Sequence, residues 1–303
     1  MKRALTGLIA AAVVGSMVAC SSGGGNPLES SAAPSSPGTI TVGSANFLEN
    51  VLLGQMYAIA LTKAGYKVDT KLNIGSREVI YDQVEKGALS VLPEYNGALL
   101  AYVDPKDNAS TLEAVNSALA QKLPKSLTLL TPSPAEDKDT VVVRKETADK
   151  DKLVSIADLA PISPTMSFGA APEDRTRQQG LVGLESEYGI KFKSFKALDT
   201  AGPLTITALA NGDVDAALLY STTPEIDSRG FVALTDPKNV FGVQNVVPLI
   251  NSAAVDDKAR GILDKISAAL DTTTLTQLNK RVQIDNEDAA VVAEDWLKSK
   301  GLI

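Results

Sequence analysis

The chain has 303 residues, of which 44% are apolar and 21% are charged, a composition typical of a globular protein with one large or two modest domains. The formal net charge is −7 and no long basic run exists. This argues against nucleic acid as a partner, because phosphate binding needs clustered Lys and Arg. The chain has no His, and its single Cys is Cys20, which excludes an internal disulfide, a Cys-based zinc site and the commonest general base. We therefore expect no metal and no cofactor, and we do not predict an enzyme.

The amino terminus has the features of an export signal. Met1-Lys2-Arg3 is positively charged, and residues 4–19 carry no charge. That uncharged stretch is shorter than the about 20 residues that a transmembrane helix needs. The pattern predicts a signal peptide over residues 1–19. It ends in Met17-Val18-Ala19-Cys20, which resembles a bacterial lipobox with Met17 in place of the usual Leu.

Cys20 is therefore predicted to be a lipid attachment site rather than a buried free thiol. Residues 20–38 are dominated by Ser, Gly, Pro and Ala and predict a lipidated, flexible linker. No second apolar stretch reaches membrane-spanning length. We expect a folded domain that the lipid holds at the extracytoplasmic face of the cell membrane.

Strand and helix patterns alternate in residues 39–95. Helices that end at Gly65 and Gly87 separate three short apolar runs. The third run leads into Pro93-Glu94-Tyr95. The predicted strands are residues 39–43, 66–74 and 89–92, and the predicted helices are residues 47–64 and 78–86. This rhythm predicts an α/β fold with a mostly parallel sheet.

A second unit repeats the rhythm and ends at Tyr220. Its predicted strands are residues 165–170, 192–195 and 214–219, and its predicted helices are residues 174–188 and 204–210. Two β-rich runs, residues 139–144 and 245–250, are predicted to cross between the units. Residues 256–303 are predicted to be helical and to return to the first lobe, with Trp296 as a packing anchor. The predicted first lobe is residues 39–140 and 245–303, and the second is residues 141–244.

The two units share one local pattern. Residues 86–95 and residues 211–220 each place a Tyr eight positions after a helix-ending Gly, with a short buried strand between. The pairs are Gly87 with Tyr95 and Gly212 with Tyr220. In open α/β sheets, ligands bind beyond the carboxyl ends of strands. The pattern therefore favours a cleft with one Tyr from each half, although coincidence also explains it.

An ordered set of short segments carries a family resemblance from about residue 39 to the carboxyl terminus. The segments are Gly43-Ser44-Ala45-Asn46-Phe47, Asn73-Ile74-Gly75-Ser76, Pro93-Glu94-Tyr95-Asn96-Gly97, Arg177-Gln178-Gln179-Gly180-Leu181, Asn211-Gly212-Asp213-Val214-Asp215, Tyr220-Ser221-Thr222 and Asn245-Val246-Val247-Pro248. The chain resembles substrate-binding lipoproteins of ABC importers for osmoprotectants, of the glycine betaine, choline and carnitine type. The resemblance implies a two-lobed, periplasmic-binding-protein-like (type II) fold, a small-molecule ligand clamped between the lobes, permease subunits as partners, and a monomer.

The family holds a trimethylammonium group in a cage of aromatic rings by cation–π attraction. Tyr95 and Tyr220 match two cage positions. The stretches that match two further cage tyrosines read Asp137-Lys138-Asp139-Thr140 and Val243-Gln244-Asn245, and Ala45 and Ala98 stand where many relatives have Lys and Thr. We therefore expect weaker betaine binding and leave open a bulkier or neutral ligand, such as a polyol or an aromatic polyol.

Eleven residues are predicted to contact the ligand. They are Ser44, Asn46, Phe47, Ser76, Tyr95, Asn96, Arg177, Tyr220, Thr222, Gln244 and Asn245. Phe47 is equally suited to the cleft or to the core. Ser76 suits an anion site or a helix N-cap, and Arg177 suits a ligand carboxylate or an ion pair within the protein. An enzyme on the same fold and a surface sensor without a transport role are the alternative functions.

Overall fold

The computed structural model describes residues 38–303. The predicted signal peptide, Cys20 and the linker up to residue 37 lie outside the described residues. Within them, the strands form two five-stranded sheets, ordered β2-β1-β3-β10-β4 and β7-β6-β8-β5-β9. The strands are β1 (Thr39–Gly43), β2 (Lys67–Lys71), β3 (Val91–Tyr95), β4 (Leu127–Leu129), β5 (Asp139–Val143), β6 (Ser167–Ala170), β7 (Ser194–Ala197), β8 (Ala216–Tyr220), β9 (Val232–Ala233) and β10 (Val246–Asn251).

The α-helices of this part of the chain cover the faces of the sheets. They are α1 (Leu48–Lys63), α2 (Arg77–Glu85), α3 (Asn96–Val103), α4 (Leu112–Lys122), α5 (Lys145–Asp151), α6 (Gly183–Tyr188), α7 (Pro203–Asn211), α8 (Glu225–Ser228), α9 (Asp257–Ala269), α10 (Thr272–Gln283) and α11 (Ala289–Ser299).

The two sheets have the same plan. In the first, β1 pairs in parallel with β2 and β3, and β10 runs antiparallel beside β3. In the second, β6 pairs in parallel with β7 and β8, and β5 runs antiparallel beside β8. Every residue of β1 and β3 is buried, as expected for strands that helices cover on both faces. The predicted two-lobed α/β fold is confirmed.

The chain crosses between the sheets near residues 130–139 and 234–246. The crossing segments pair with each other where Glu136 and Asn245 form an antiparallel bridge. Gly97, at the start of α3, packs directly against the second segment, since a Cβ atom there would lie 1.9 Å from the Val243 carbonyl oxygen. The hinge between the lobes is thus a paired ribbon that one glycine approaches closely.

The helix predicted over residues 174–188 is interrupted, so that prediction is wrong. A short 3₁₀ turn spans Pro172–Arg175 and α6 begins only at Gly183. Between them, Gln179 and Gly180 have non-helical backbone angles. The cause is a close backbone approach, because a Cβ atom at Gly180 would lie 2.2 Å from the Asp174 carbonyl oxygen. The break leaves Arg177 between the two helical pieces.

The carboxyl-terminal helices pack against α1. Trp296 of α11 is buried in the same apolar cluster as Leu52 and Leu53 of α1. The second lobe has its own core around Phe168, whose ring stacks on Phe192 at a centroid distance of 4.5 Å. Phe192 lies outside β7, which begins at Ser194, two residues later than predicted.

Candidate ligand-binding site

The two tyrosines that the sequence pattern pairs lie at equivalent strand ends. Tyr95 is the last residue of β3 and Tyr220 is the last residue of β8. Both line a cavity of about 270 Å³ between the lobes. Strand carboxyl ends are where open α/β sheets bind ligands, which makes this cavity the candidate site.

Phe47 joins the two tyrosines into one aromatic surface. It precedes α1, and its ring centroid lies 6.0 Å from that of Tyr95 and 5.0 Å from that of Tyr220. Both distances are typical of aromatic pairs in contact. Phe47 lines the cavity and also packs against the core of the first lobe, so both alternatives left open for it hold.

A buried polar network lies beneath these rings. The Glu49 carboxylate, 1% exposed, accepts hydrogen bonds from the Tyr95 hydroxyl (2.6 Å), the Thr222 hydroxyl (2.6 Å) and Asn279 Nδ2 (2.5 Å). The Thr222 hydroxyl also lies 2.8 Å from Asp137 Oδ1. Burial, reinforced by the charge of Glu49, raises the pKa of Asp137 well above its usual range. Because Thr222 follows β8 while Glu49 and Asn279 belong to helices on the first sheet, the network ties the lobes together.

Two arginines line the cavity, and each is held by a carboxylate in a two-pronged ion pair. Arg77 Nε and Nη2 each donate to Glu94 at 2.8 Å. Arg177 Nε and Nη2 each donate to Glu78 at 2.9 Å. Glu78 lies in α2 of the first lobe, so the second pair spans the cleft. Burial raises the pKa of Glu78, but the hydrogen bonds from Arg177 and Ser76 and the charge of Arg177 together outweigh burial and lower that pKa to about 2.

The cavity wall carries more acidic than basic side chains. Among the described residues that line it, two are arginines and five are carboxylates: Glu78, Glu94, Asp137, Asp139 and Glu173. Asp139 accepts a hydrogen bond from Gln244 Nε2 at 3.0 Å, and its burial raises its pKa. Nearby, burial and then the charge of Asp139 raise the pKa of Asp174 to about 7. The wall therefore favours a cation over an anion.

Seven of the eleven residues predicted to contact the ligand lie on the cavity wall. They are Asn46, Phe47, Ser76, Tyr95, Arg177, Tyr220 and Gln244. They come from both lobes and from the second crossing segment, and the fold brings them together.

The other four do not line this cavity. Ser44 is fully buried and its hydroxyl donates to the Ala45 carbonyl oxygen. Asn96 and Asn245 support the hinge, where Asn96 Oδ1 accepts from the Asn245 amide nitrogen and Asn245 Nδ2 donates to the Ser133 carbonyl oxygen. Thr222 lies in the polar network and lines a second cavity of about 270 Å³, which shares Phe47 and Tyr220 with the first.

Residues 38–299 match the family model described as the substrate binding domain of the ABC-type glycine betaine transport system. The chain belongs to this family. It is 31% identical to the glycine betaine-binding protein YehZ of Escherichia coli over 277 residues, which cover 86% of this chain and 90% of that protein. It is 26% identical to a glycine-betaine-binding protein of Pseudomonas aeruginosa over 280 residues, which cover 88% of this chain and 89% of that protein. A crystal structure of a glycine betaine/carnitine/choline ABC transporter protein shares the fold, with a TM-score of 0.66 at 22% identity over 87% of this chain and 99% of that one.

The family consists of extracytoplasmic solute-binding proteins that serve the permease subunits of ABC importers. Membership confirms the family and the transport role predicted from the ordered segments. No helix between residues 38 and 303 combines the length and apolar character needed to cross a bilayer.

Sequence reasoning missed several residues of the wall. Arg77, Glu94 and Tyr102 line the cavity but were not among the predicted contacts. In the sequence, Asp137 and Asp139 stand out only as members of a stretch without a tyrosine. Their signal was present nonetheless, because two carboxylates stand in the crossing segment where the family resemblance places an aromatic ring.

Proposed function

We propose that this member of the family captures a small solute with a quaternary ammonium group between its lobes and delivers it to an ABC importer. One observation carries the proposal: Phe47, Tyr95 and Tyr220 form a continuous aromatic surface on an acidic cavity. A quaternary ammonium has no N–H to donate, so ring faces are its best partners. Each ring contributes roughly 0.5 to 2 kcal/mol, more when it is desolvated.

The size and the charge of the cavity support the same ligand class. A volume of about 270 Å³ suits a small solute rather than a peptide or a sugar polymer. The surplus carboxylates on the wall raise the local concentration of cations. Phe47 adds a third ring to the pair that the sequence pattern identifies.

Isothermal titration with a panel of solutes tests the proposal. We expect binding of at least one of glycine betaine, choline and carnitine, and none of uncharged polyols. Tyr220→Ala and Phe47→Ala should each weaken binding by about 5- to 150-fold, from lost cation–π attraction and burial. Tight binding of a polyol or an aromatic polyol alone would overturn the ammonium assignment. Failure to bind any solute would favour a surface sensor.

We also propose that Cys20 carries a lipid that anchors the mature protein as a monomer at the extracytoplasmic face of the membrane. The charged start, the uncharged stretch and the cysteine before a Ser/Gly-rich segment support this. A Cys20→Ser variant that remains membrane-bound and normally processed would contradict the anchor.

A further inference from the structure

We propose that the site selects a cation without a carboxylate, and that Glu78 sets this selectivity by holding Arg177 from across the cleft. The inference rests on the proposed function, since it names which ammonium solutes the cavity accepts.

Three acidic side chains surround the single positive charge of Arg177. Its Nε and Nη2 donate to both oxygens of Glu78 at 2.9 Å, and its Nη1 lies 3.3 Å from Asp174 Oδ1. A carboxylate oxygen of Glu173 is 3.9 Å from Nη2. The two-pronged face that would recognise a ligand carboxylate is therefore occupied by the protein itself.

Arg77 is occupied in the same way. Glu94 accepts from its Nε and Nη2, and that carboxylate is only 2% exposed. Leaving a buried carboxylate without its partner is costly, so a ligand has no means to free this guanidinium. Among the described residues of the wall, these two arginines are the only basic side chains.

The remaining charges on the wall reinforce the selectivity. Asp137 and Asp139 face the cavity, and no basic side chain between residues 38 and 303 forms an ion pair with either of them. A cation in the cavity favours the ionised forms of these two groups, and a carboxylate on the same ligand would then meet like charges and two occupied arginines. A hydroxyl group instead finds acceptors on Asp139 and Gln244. A ligand that carries an ammonium group and a hydroxyl fits this wall, and a zwitterion with a carboxylate does not.

Choline and glycine betaine are matched probes, since both carry a trimethylammonium group on a short chain and differ in a hydroxymethyl group against a carboxylate. Calorimetry at fixed ionic strength should show choline binding at least about tenfold more tightly to the unmodified protein, the effect of one charge-assisted hydrogen bond. Glu78→Gln frees Arg177 and should reduce the choline-to-betaine affinity ratio about tenfold or more. The ratio is the readout because loss of the interlobe pair affects closure on both ligands.

Glu173→Gln is the matched control. It removes the same charge from the same cavity wall but leaves the two-pronged pair with Glu78 in place, so it should change the ratio by less than about threefold. Betaine binding as tight as choline in the unmodified protein, or an unchanged ratio in E78Q, would overturn the inference and leave the proposed function intact. A protein that binds neither probe, and no other quaternary ammonium, would overturn both.

Discussion

Tyr95 and Tyr220 occupy equivalent strand ends, but their hydroxyl groups have different surroundings. The Tyr95 hydroxyl donates to Glu49 at 2.6 Å inside the buried network. The Tyr220 hydroxyl makes no hydrogen bond to any residue between 38 and 303, and its side chain is only half-buried. The ring of Tyr220 therefore acts through its face, whereas Tyr95 also holds a carboxylate of the lobe contact.

This difference predicts that replacing each tyrosine by Phe lowers the free energy of unfolding by different amounts. Tyr95→Phe leaves Glu49 Oε1 buried without its donor, so we expect a loss of about 1 to 3 kcal/mol in the free energy of unfolding. Tyr220→Phe keeps the ring and removes an unpaired hydroxyl, so its cost should stay within about 0.5 kcal/mol. Denaturant unfolding of both variants measures this, and equal stabilities would contradict the assigned role of the Tyr95 hydroxyl.

The sequence pattern does not distinguish the two tyrosines, since each lies eight positions after a helix-ending Gly. The position of each ring follows from a local pattern, because a helix-ending Gly and a buried strand determine where the strand ends. The partner of a hydroxyl does not follow from such a pattern. Glu49 lies 46 positions from Tyr95 and Thr222 lies 173 positions from Glu49, so only the folded chain brings them together.

At the scale of elements, the run from β1 to β3 was predictable because each strand and helix in it has one period and a clear stop, whereas α3, α4 and β4 were not predicted. The break between Arg175 and α6 was not, since Gly180 is required there by a contact with the Asp174 backbone rather than by a turn signal. The ion pair of Arg177 with Glu78 depends on this break and on the approach of α2 from the other lobe. Local periodicity carries no information about either.

The contact of α3 with the hinge predicts that adding a single methyl group at Gly97 destabilises the protein. In Gly97→Ala the added Cβ would lie 1.9 Å from the Val243 carbonyl oxygen, so the crossing segment has to move. We expect a loss of at least about 1 to 3 kcal/mol in stability, as in other overpacked sites. Because Gln244 follows Val243, ligand affinity should fall as well.

Gly261, an exposed residue inside α9, is the control for that change. A Cβ atom there meets nothing within 4 Å. Gly261→Ala should therefore stabilise the protein by about 0.5 to 1 kcal/mol, because alanine restricts the unfolded chain and favours the helix. Calorimetric melting of the two variants should move in opposite directions. A Gly97→Ala variant that melts with the unmodified protein would show that the hinge contact is loose.

For the whole molecule, the distribution of charge decides the response to pH. The chain has no His, but one buried carboxyl beside the cleft, Asp174, titrates near neutrality. Burial and then the charge of Asp139 raise the pKa of Asp174 from 3.8 to about 7. Asp137 and Asp139 also have raised pKa values, for which burial is the main cause. Between about pH 4 and pH 7, Asp174 therefore keeps a proton in the folded protein that the unfolded chain releases.

The ligand-free protein is therefore expected to lose stability as pH rises from about 5 to 7. A carboxyl whose pKa is raised by folding contributes most below its unfolded value, and that contribution declines until the pH passes the folded value. For Asp174 the decline approaches about 1.4 kcal/mol per pH unit inside this window and levels off above about pH 7. Thermal unfolding at fixed ionic strength across pH 5 to 8 measures the slope.

The Asp174→Asn variant isolates the contribution of this one carboxyl to the pH dependence of stability. The amide resembles the protonated carboxyl and keeps an acceptor for Arg177 and for the Ala171 amide nitrogen, although one group cannot serve both equally well. The variant should therefore match the unmodified protein near pH 5 and become the more stable of the two near pH 8. Because a cation in the cavity stabilises the ionised form of the nearby Asp174, a saturating ammonium ligand should flatten the slope of the unmodified protein more than that of the variant. Parallel slopes for the two proteins without ligand would show that Asp174 stays ionised through this range.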